Sequence, residues 1–430
     1  MSEADTTNAP DFLSVPLGEI AHIEMGQSPD SRYVIDDPFV GHPFLQGNAE
    51  FGVVFPEPKY GCLRPAKLCK TNDVLISVRA PVGAVNLADR DYCIGRGLAA
   101  IRVKGIKPSL VGEVIARQSS ALRRVSQGTT FEAINKSDLL TLSLKLPPKN
   151  EWAHVAGILD TLDTAIHETE AIIAKLKAVK QGLLHDLLTR GIDANGELRP
   201  PPAEAPNLYK PSPLGWIPKE WNFAPFVSKI DFPEGQVDPR RSPYRDWVLV
   251  APDHIESETG RLLSTATAAE QQAISGKYVF QAGDVIYSKI RPYLRKAVLA
   301  SSSGLCSADM YPLRPKPEID SRYLLAVVLG DQFSRFAESV SMRSGFPKIN
   351  RSEMSEFSIG WPSSDEQSWI AQILSDADIK QRTEEDEFEK LRLLKAGLMD
   401  DLLTGRIRVT PLLTEAAQQK RGAADGLGTR

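Results

Sequence analysis

Residues 151–192 contain, near their end, the sequence Gly182-Leu-Leu-His-Asp-Leu-Leu-Thr189, and the 42-residue stretch has a second, similar copy in the chain. It returns 215 residues later, where residues 366–407 match it at 16 of 42 positions without a gap. Shared composition alone does not give so many matches at one fixed offset. Because a repeat at a long fixed period determines the architecture of a chain, we expect two equivalent halves, each ending in a long helix.

Both copies show the heptad spacing of apolar residues that is typical of a helix packed on another helix. A helix of this length is roughly 55–60 Å long, and alone it would expose its whole apolar stripe. We therefore predict an antiparallel coiled coil between the copies, with Leu176 and Leu391 in one buried seam. The predicted coiled-coil residues are Leu159, Leu162, Leu176, Leu183, Leu187, Leu374, Leu391, Leu398 and Leu402, and the stripe also takes in Ile158, Ala165, Ile172, Val179 and Leu394. Two unrelated amphipathic helices in one core are the alternative, which the repeat argues against.

The composition is that of a globular chain with two or three domains: 430 residues, 42% hydrophobic and 25% charged. No apolar run is long enough to span a bilayer and no signal peptide opens the chain, so we expect a cytoplasmic protein. Four cysteines, Cys62, Cys69, Cys93 and Cys306, are then expected to be free thiols. A zinc site on Cys62 and Cys69 would lack two ligands.

The remaining sequence predicts two α/β (α+β) domains, built from short strands and helices, that repeat each other loosely. Asn72-Asp-Val-Leu75 returns as Gly283-Asp-Val-Ile286, and Asn135 returns as Asn350 at the 215-residue offset, in positions that suit helix caps. The predicted organisation is a first domain in residues 1–150, a helix in 151–192, an extended proline-rich linker in 193–218, a second domain in 219–362, a helix in 363–409 and a polar tail in 410–430. We expect residues 1–10 to be disordered.

Charge is distributed unevenly between the domains and the helices. Residues 1–150 carry 17 Lys and Arg against 16 Asp and Glu, and residues 216–361 carry 18 against 17. The helical regions carry the acidic excess. A basic face on either domain must therefore come from segregation of charges, which weakens an argument for nucleic-acid binding from charge alone.

An ordered set of features resembles the specificity subunit of type I restriction–modification enzymes over essentially the whole chain. These features are the duplicated helix end, the proline followed by Glu151 or by Glu366-Gln367 at the start of each helix, the two core-strand motifs, and Leu214-Gly-Trp-Ile-Pro-Lys-Glu-Trp221. The resemblance implies two target-recognition domains that bind double-stranded DNA and two modification subunits that dock on the helices, with restriction subunits joining through the complex. Trp152 departs from the pattern, because glutamine, as in Gln367, is more usual there.

Catalytic motifs are missing from the sequence. There is no phosphate-binding Gly-rich loop with the Gly-Lys-Ser/Thr end, no Asn/Asp-Pro-Pro-aromatic run, and no metal-ligand spacing among the six histidines. We expect a chain without catalytic activity or cofactor, in which partners use S-adenosylmethionine, ATP and magnesium. The alternatives are a self-contained nuclease or methyltransferase, which the missing motifs argue against, and a scaffold whose two domains bind something other than DNA.

Bases are read by Arg, Lys, Asn and Gln side chains at groove edges, with hydroxyl and aromatic contacts beside them. Loop positions of these residue types are our predicted DNA-binding residues. In the first domain they are Gln46, Asn48, Arg79, Arg96, Gln127, Thr129 and Thr130, and in the second Lys289, Arg291, Tyr293, Arg295, Arg343, Ser344, Phe346 and Lys348. The basic stretch from Arg291 to Lys296 could equally be an ordinary solvated strand end.

Overall fold

The computed structural model describes residues 12–118, 122, 133–341 and 347–409. The chain folds as two compact units, one formed by Met1–Ile173 with Glu384–Arg430 and the other by Ala174–Thr383. The long helices Trp152–Thr189 and Ser364–Thr404 each contribute residues to both units. The expected tails, residues 1–10 and 410–430, lie outside the described residues.

A four-stranded antiparallel sheet, the first core sheet, lies at the centre of the first unit. Its strands follow the order Ala21–Met25, Leu98–Val103, Val74–Ser77 and Val85–Leu87. Helix Pro108–Arg117 covers the sheet with Leu110, Val111, Val114 and Ile115, whose helical spacing puts them on one buried face. A smaller sheet contains Val34–Ile35, Tyr60–Cys62, His42–Leu45 and Cys93–Ile94, strand Leu13–Pro16 pairs with Ser143–Leu146, and the short helices are Leu17–Ile20 and Lys136–Thr141.

The second unit repeats this topology. Its core sheet, the second core sheet, follows the order Ile230–Asp231, Met310–Pro315, Val285–Ser288 and Ala297–Leu299. The smaller sheet contains Leu249–Val250, Gly304–Cys306 and Tyr278–Phe280, and strand Asn222–Pro225 pairs with Ser358–Trp361. The helices are Ser321–Leu329, Asp331–Ser341 and Arg351–Glu356. The loose sequence similarity between the two domains is therefore a repeat of one fold.

A buried aspartate explains the repeated core-strand motif. Asp73 accepts two hydrogen bonds from Arg102, at 3.0 and 2.7 Å, and Asp284 accepts two from Arg314, at 2.9 and 2.8 Å. The hydrogen bonds that each arginine donates to its aspartate raise the pKa of that arginine. Each aspartate follows a residue with positive φ, so the motif closes a turn and fixes the neighbouring strand.

The helix segments within each unit run antiparallel, as predicted. In the first unit Asp163 pairs with Lys395 at 2.6 Å, while Glu151, just before the start of the first helix, pairs with Arg408, just beyond the end of the second. In the second unit Lys180 pairs with Asp378 at 2.6 Å. Later positions in one helix therefore face earlier positions in the other.

The repeated Leu-Leu pair near each helix end packs into a domain core. Leu187 and Leu188 lie in the core of the second globular domain, with Phe226 and Phe333. Leu402 and Leu403 lie in the core of the first globular domain. Each long helix thus follows one globular domain in the chain and ends in the core of the other.

The buried stripe on each long helix is narrower than the predicted apolar stripe. Leu159, Leu187, Leu374 and Leu402 are buried, whereas Leu162, Leu176, Leu183, Leu391 and Leu398 are half-buried. Ile172, Val179 and Leu394, which we expected on the stripe, are 45%, 48% and 51% exposed. The reason is geometric: two helices in contact cover about one row of each, so the outer edge of a wide apolar stripe stays in solvent.

The predicted proline-rich linker is more structured than an extended spacer. It forms a turn at Pro206–Leu208 and a hairpin of Tyr209–Ser212 with Gly215–Pro218. Arg199 within it is buried and pairs with Glu366.

Trp152 and Gln367 occupy equivalent positions in the repeat, and both side chains make the same contact although Trp152 departs from the family pattern. Trp152 Nε1 donates to the Pro147 carbonyl at 2.7 Å, and Gln367 Nε2 donates to the Pro362 carbonyl at 3.0 Å. Both side chains therefore tie a helix start to the strand end before it.

Candidate nucleic-acid interface

One edge of the first core sheet, which we call the first loop edge, gathers the ends of three strands. Two strands end there, at Met25 and Ser77, and a third begins there, at Leu98, because neighbouring strands are antiparallel. A 2.9 Å hydrogen bond from Val78 N–H to the Gly97 carbonyl continues this pairing into the loops. Loops that are distant in sequence therefore lie side by side.

The predicted residues Gln46, Arg79 and Arg96 lie exposed along this edge, with half-buried Asn48 beside them. A Cβ on Gly97 would lie 2.6 Å from the Gln46 carbonyl oxygen, so this close approach requires glycine and brings Gln46 next to Arg96. Arginine and amide side chains grouped in this way match the donor and acceptor pattern of the DNA major groove.

Further polar and aromatic groups beside this edge were missed in the sequence. The Ser28 hydroxyl accepts a 3.4 Å hydrogen bond from the Arg96 N–H. The Arg64 guanidinium lies 4.8 Å from the centre of the Tyr33 ring and donates to its hydroxyl at 3.1 Å. No local pattern signals this pair, because its members are 31 residues apart and meet only in the folded sheet.

The second core sheet presents the equivalent edge, the second loop edge. Strand Val285–Ser288 ends there, strand Met310–Pro315 begins there, and a 3.0 Å bond joins the Lys289 N–H to the Asp309 carbonyl. The turn between Ser288 and Ala297 projects from this edge. Arg291 and Arg295 in that turn have φ of 48° and 47°, a left-handed conformation that non-glycine residues rarely adopt and that clusters at functional sites.

The predicted residues at the second loop edge differ in what they contact. Arg291, Lys348 and Tyr293 are exposed, with 51% of Tyr293 accessible. Arg295 donates to Asp331 at 2.8 Å, and Lys289 lies 5.1 Å from the centre of the Tyr311 ring. The first three lie at the surface of the domain, and Arg295 and Lys289 make contacts within it.

Arg351, which we did not predict, belongs to the same neighbourhood. Its guanidinium lies 4.8 Å from the centre of the Phe232 ring and 5.4 Å from that of Tyr311. Arg351 follows Asn350, and the capping role expected of Asn350 and Asn135 is confirmed: each accepts a hydrogen bond from the first turn of its helix. The other predicted residues, Gln127, Thr129, Thr130, Arg343, Ser344 and Phe346, lie outside the described residues.

The described part of the chain offers no group of three or more His, Cys, Asp or Glu placed to hold a metal ion. The four cysteines are free and buried, as expected of free thiols. Burial raises the pKa of Cys69 and of Cys93 to about 12, so both stay protonated at neutral pH. Within the described ranges, no helix is long and apolar enough to cross a membrane.

Comparison with known proteins gives one consistent result. A family model described as "Type I restriction modification DNA specificity domain" matches residues 11–178 and 257–392. The type I restriction enzyme EcoDI specificity subunit of Escherichia coli is 28% identical over 348 residues, which are 77% of this chain and 76% of that protein. The putative type I restriction enzyme MjaX specificity subunit of Methanocaldococcus jannaschii is 36% identical over 183 residues, 42% of this chain and 43% of that protein.

The fold comparison agrees with the sequence comparisons. The crystal structure of the S subunit of a type I restriction–modification system from M. genitalium superposes with a TM-score of 0.61 at 14% identity. The match covers 92% of this chain and 96% of that one. At this level of identity the likeness is one of fold.

Proposed function

The chain belongs to the family of type I restriction modification DNA specificity domains, and from this membership we propose that it recognises the DNA target of a type I restriction–modification complex. Each globular domain reads one part of the target, and the bases between the two parts are unread. The observation that carries the proposal is the recurrence of one loop edge on both core sheets, with different exposed side chains on each. Two unlike readers on a repeated fold suit two unlike half-sites.

Direct reading depends on the exposed arginines. An arginine that donates two hydrogen bonds to guanine contributes roughly 1–3 kcal/mol of discrimination against other bases. Arg96 at the first loop edge and Arg291 at the second are our readers, one for each half-site. Tyr293, next to Arg291, offers a ring for apolar contact with a base and a hydroxyl for a phosphate.

The test is a binding or methylation profile of the assembled complex over a randomised target library. Arg291→Ala should weaken recognition at one half-site by roughly 1–3 kcal/mol, and Arg96→Ala at the other. A phosphate contact would instead weaken binding evenly and reduce the salt slope by about one. Lys104→Ala is the matched control, because Lys104 is exposed at the opposite end of the first core sheet. A single arginine change that altered both half-sites would refute separate reading.

We further propose that the helices dock two copies of the modification subunit. Val179 and Leu394 are equivalent positions in the 215-residue repeat, and both are exposed. Apolar side chains left in solvent at equivalent positions suit two copies of one partner. Native mass spectrometry should detect two partners per chain, falling to one with either Val179→Asp or Leu394→Asp. A one-to-one wild-type complex at saturation would refute the proposal.

We assign no catalysis or cofactor to this chain, and we place it with its DNA target in the cytoplasm. Methyl transfer with S-adenosylmethionine belongs to the modification subunits, and ATP- and magnesium-dependent translocation and cleavage to restriction subunits that join the complex. Purified chain alone should neither methylate nor cleave DNA, and added partners should supply both activities. Activity of the isolated chain would overturn the assignment.

A further inference from the structure

On each long helix, one row of residues spaced seven apart is more buried than the others, and this row contains a lysine. In the first helix this row consists, at intervals of seven, of Leu159, Ile166, Ile173, Lys180 and Leu187, and in the second of Leu374, Gln381, Phe388, Lys395 and Leu402. Lys180 and Lys395 are equivalent in the repeat, and only 22% and 18% of their side chains are exposed. A charged group in a helix seam weakens apolar packing, so its recurrence calls for a physical reason.

Each lysine is neutralised by an aspartate of the other helix. Lys395 lies 2.6 Å from Asp163 and also pairs with Glu113, and Lys180 lies 2.6 Å from Asp378. Burial alone would lower the pKa of Lys395, but the charge of Glu113 and the hydrogen bond to Asp163 outweigh it, and the pKa is raised. Lys395 therefore stays charged in the seam.

The order of the charges distinguishes one helix pairing from the others. Each helix carries an aspartate followed 17 residues later by the lysine, as Asp163 and Lys180 in the first and Asp378 and Lys395 in the second. Antiparallel pairing brings each aspartate to a lysine. Parallel pairing of equivalent positions would bring aspartate to aspartate and lysine to lysine.

The charges also distinguish one register from its neighbours. If the antiparallel pairing slipped by one heptad, Asp163 would face Phe388 or Leu402, depending on the direction, in place of Lys395. An unpaired carboxylate against an apolar side chain is strongly unfavourable. Buried polar groups that disfavour other orientations and registers of a helix pair are the best-attested use of buried charge in coiled coils.

We propose that the pairs Asp163–Lys395 and Lys180–Asp378 are positioning pairs that set the orientation and register of the two helices, and thereby the length of the unread spacer. The part concerning the spacer rests on the proposed function. The part concerning orientation and register rests on the two ion pairs and the repeat.

The first test exchanges charges without changing composition. The half exchange Asp163→Lys with Lys180→Asp places lysine opposite Lys395 and aspartate opposite Asp378, so the unfolding midpoint should fall by on the order of 5 °C or more. The full exchange, which adds Asp378→Lys and Lys395→Asp, restores opposite charges within both pairs but places the new residues next to Glu113 and Arg382, so it should recover part of the loss. The control exchange, Glu168→Lys with Lys175→Glu, also swaps one acidic and one basic residue of the first helix, but at two exposed positions, and should leave the midpoint unchanged.

The second test measures spacer length, which a purely stabilising role would not alter. The assembled complex is assayed for methylation of targets whose half-sites are held constant while the spacer varies. The half exchange should spread methylation over more than one spacer length or abolish it, and the full exchange should restore the wild-type length.

Two outcomes would overturn the proposal: a half exchange with wild-type midpoint and spacer, or a full exchange no better than the half exchange. A wild-type complex without a two-part DNA target would refute the proposed function but not the proposed role of the ion pairs. The unfolding comparison would still test the pairing in that case.

Discussion

Replacement of Glu366 by alanine should be one of the most destabilising single changes in the second unit. The Glu366 carboxylate is buried at the start of its helix and accepts hydrogen bonds from three directions: the Arg199 guanidinium, the Ile192 N–H at 3.0 Å and Trp221 Nε1 at 3.1 Å. Glu366→Ala leaves the guanidinium of Arg199, which is 6% exposed, without its buried counter-charge.

The magnitude follows from what remains around Arg199. Its other partners are the Arg190 carbonyl at 3.1 Å and a Glu220 carboxylate at 3.2 Å whose side chain is 82% exposed. Neither replaces a buried carboxylate, so the loss should be about 3–5 kcal/mol, the cost typical of breaking a buried ion pair. For a cooperative unit of this size that is a fall of roughly 6–20 °C in the unfolding midpoint.

Differential scanning calorimetry of three variants separates the contributions. Glu366→Ala should show the full loss. Glu220→Ala, which removes only the exposed carboxylate, should cost about 0–1 kcal/mol. Glu366→Gln combined with Arg199→Met removes both charges and should be more stable than Glu366→Ala, because no buried charge is left unpaired. A loss below about 1 kcal/mol for Glu366→Ala, or a double variant no better than the single one, would refute the reasoning.

Three further outcomes are expected. Leu187→Ala and Leu402→Ala should each destabilise the protein by about 2–5 kcal/mol in denaturant unfolding, because both leave a cavity in a domain core, whereas Leu393→Ala, on a residue that is 72% exposed, should stay within about 0.5 kcal/mol. Ile173→Asp should lower the unfolding midpoint more than Leu176→Asp, since Ile173 is buried and Leu176 half-buried; equal losses would mean that both face the same seam. Alkylation at pH 8 should leave Cys69 and Cys93 of the native protein unmodified, because a pKa of about 12 keeps the reactive thiolate scarce until the pH approaches that value, and mass spectrometry after denaturation should then detect both as newly reactive.

The parts of the fold that follow from local pattern could be predicted from the sequence. The 215-residue repeat determined the two equivalent halves, and Asn135 and Asn350 were recognised as caps because a cap acts within its own helix turn. Heptad spacing located the long helices but not the limits of burial, since it identifies an apolar stripe without stating how much of it a neighbour covers. Val179 and Leu394 were therefore placed in the seam although they lie in solvent.

The candidate site was harder to predict, because its partners are distant in sequence. Arginine is a residue type typical of DNA contacts, yet the Arg295 side chain donates a hydrogen bond to Asp331, 36 residues away. Arg64 and Tyr33 meet only because two strands bring them together. Residue type indicates what a side chain can bind, whereas the tertiary fold decides whether it is presented to solvent.

Some of the identical residues of the repeat hold the helix ends, and this fact bears on how specificity can change. Glu151 and Glu366, the first identical pair, are both buried, and each holds an arginine from the segment that follows the other helix, Arg408 for Glu151 and Arg199 for Glu366. The Leu-Leu pairs at the other ends enter domain cores. The residues exposed at the two loop edges, by contrast, differ between the halves. Because the groups that hold the helix ends are separate from the residues exposed at the two loop edges, which we propose read DNA, we expect substitutions at a loop edge to alter DNA recognition without disturbing the helix ends.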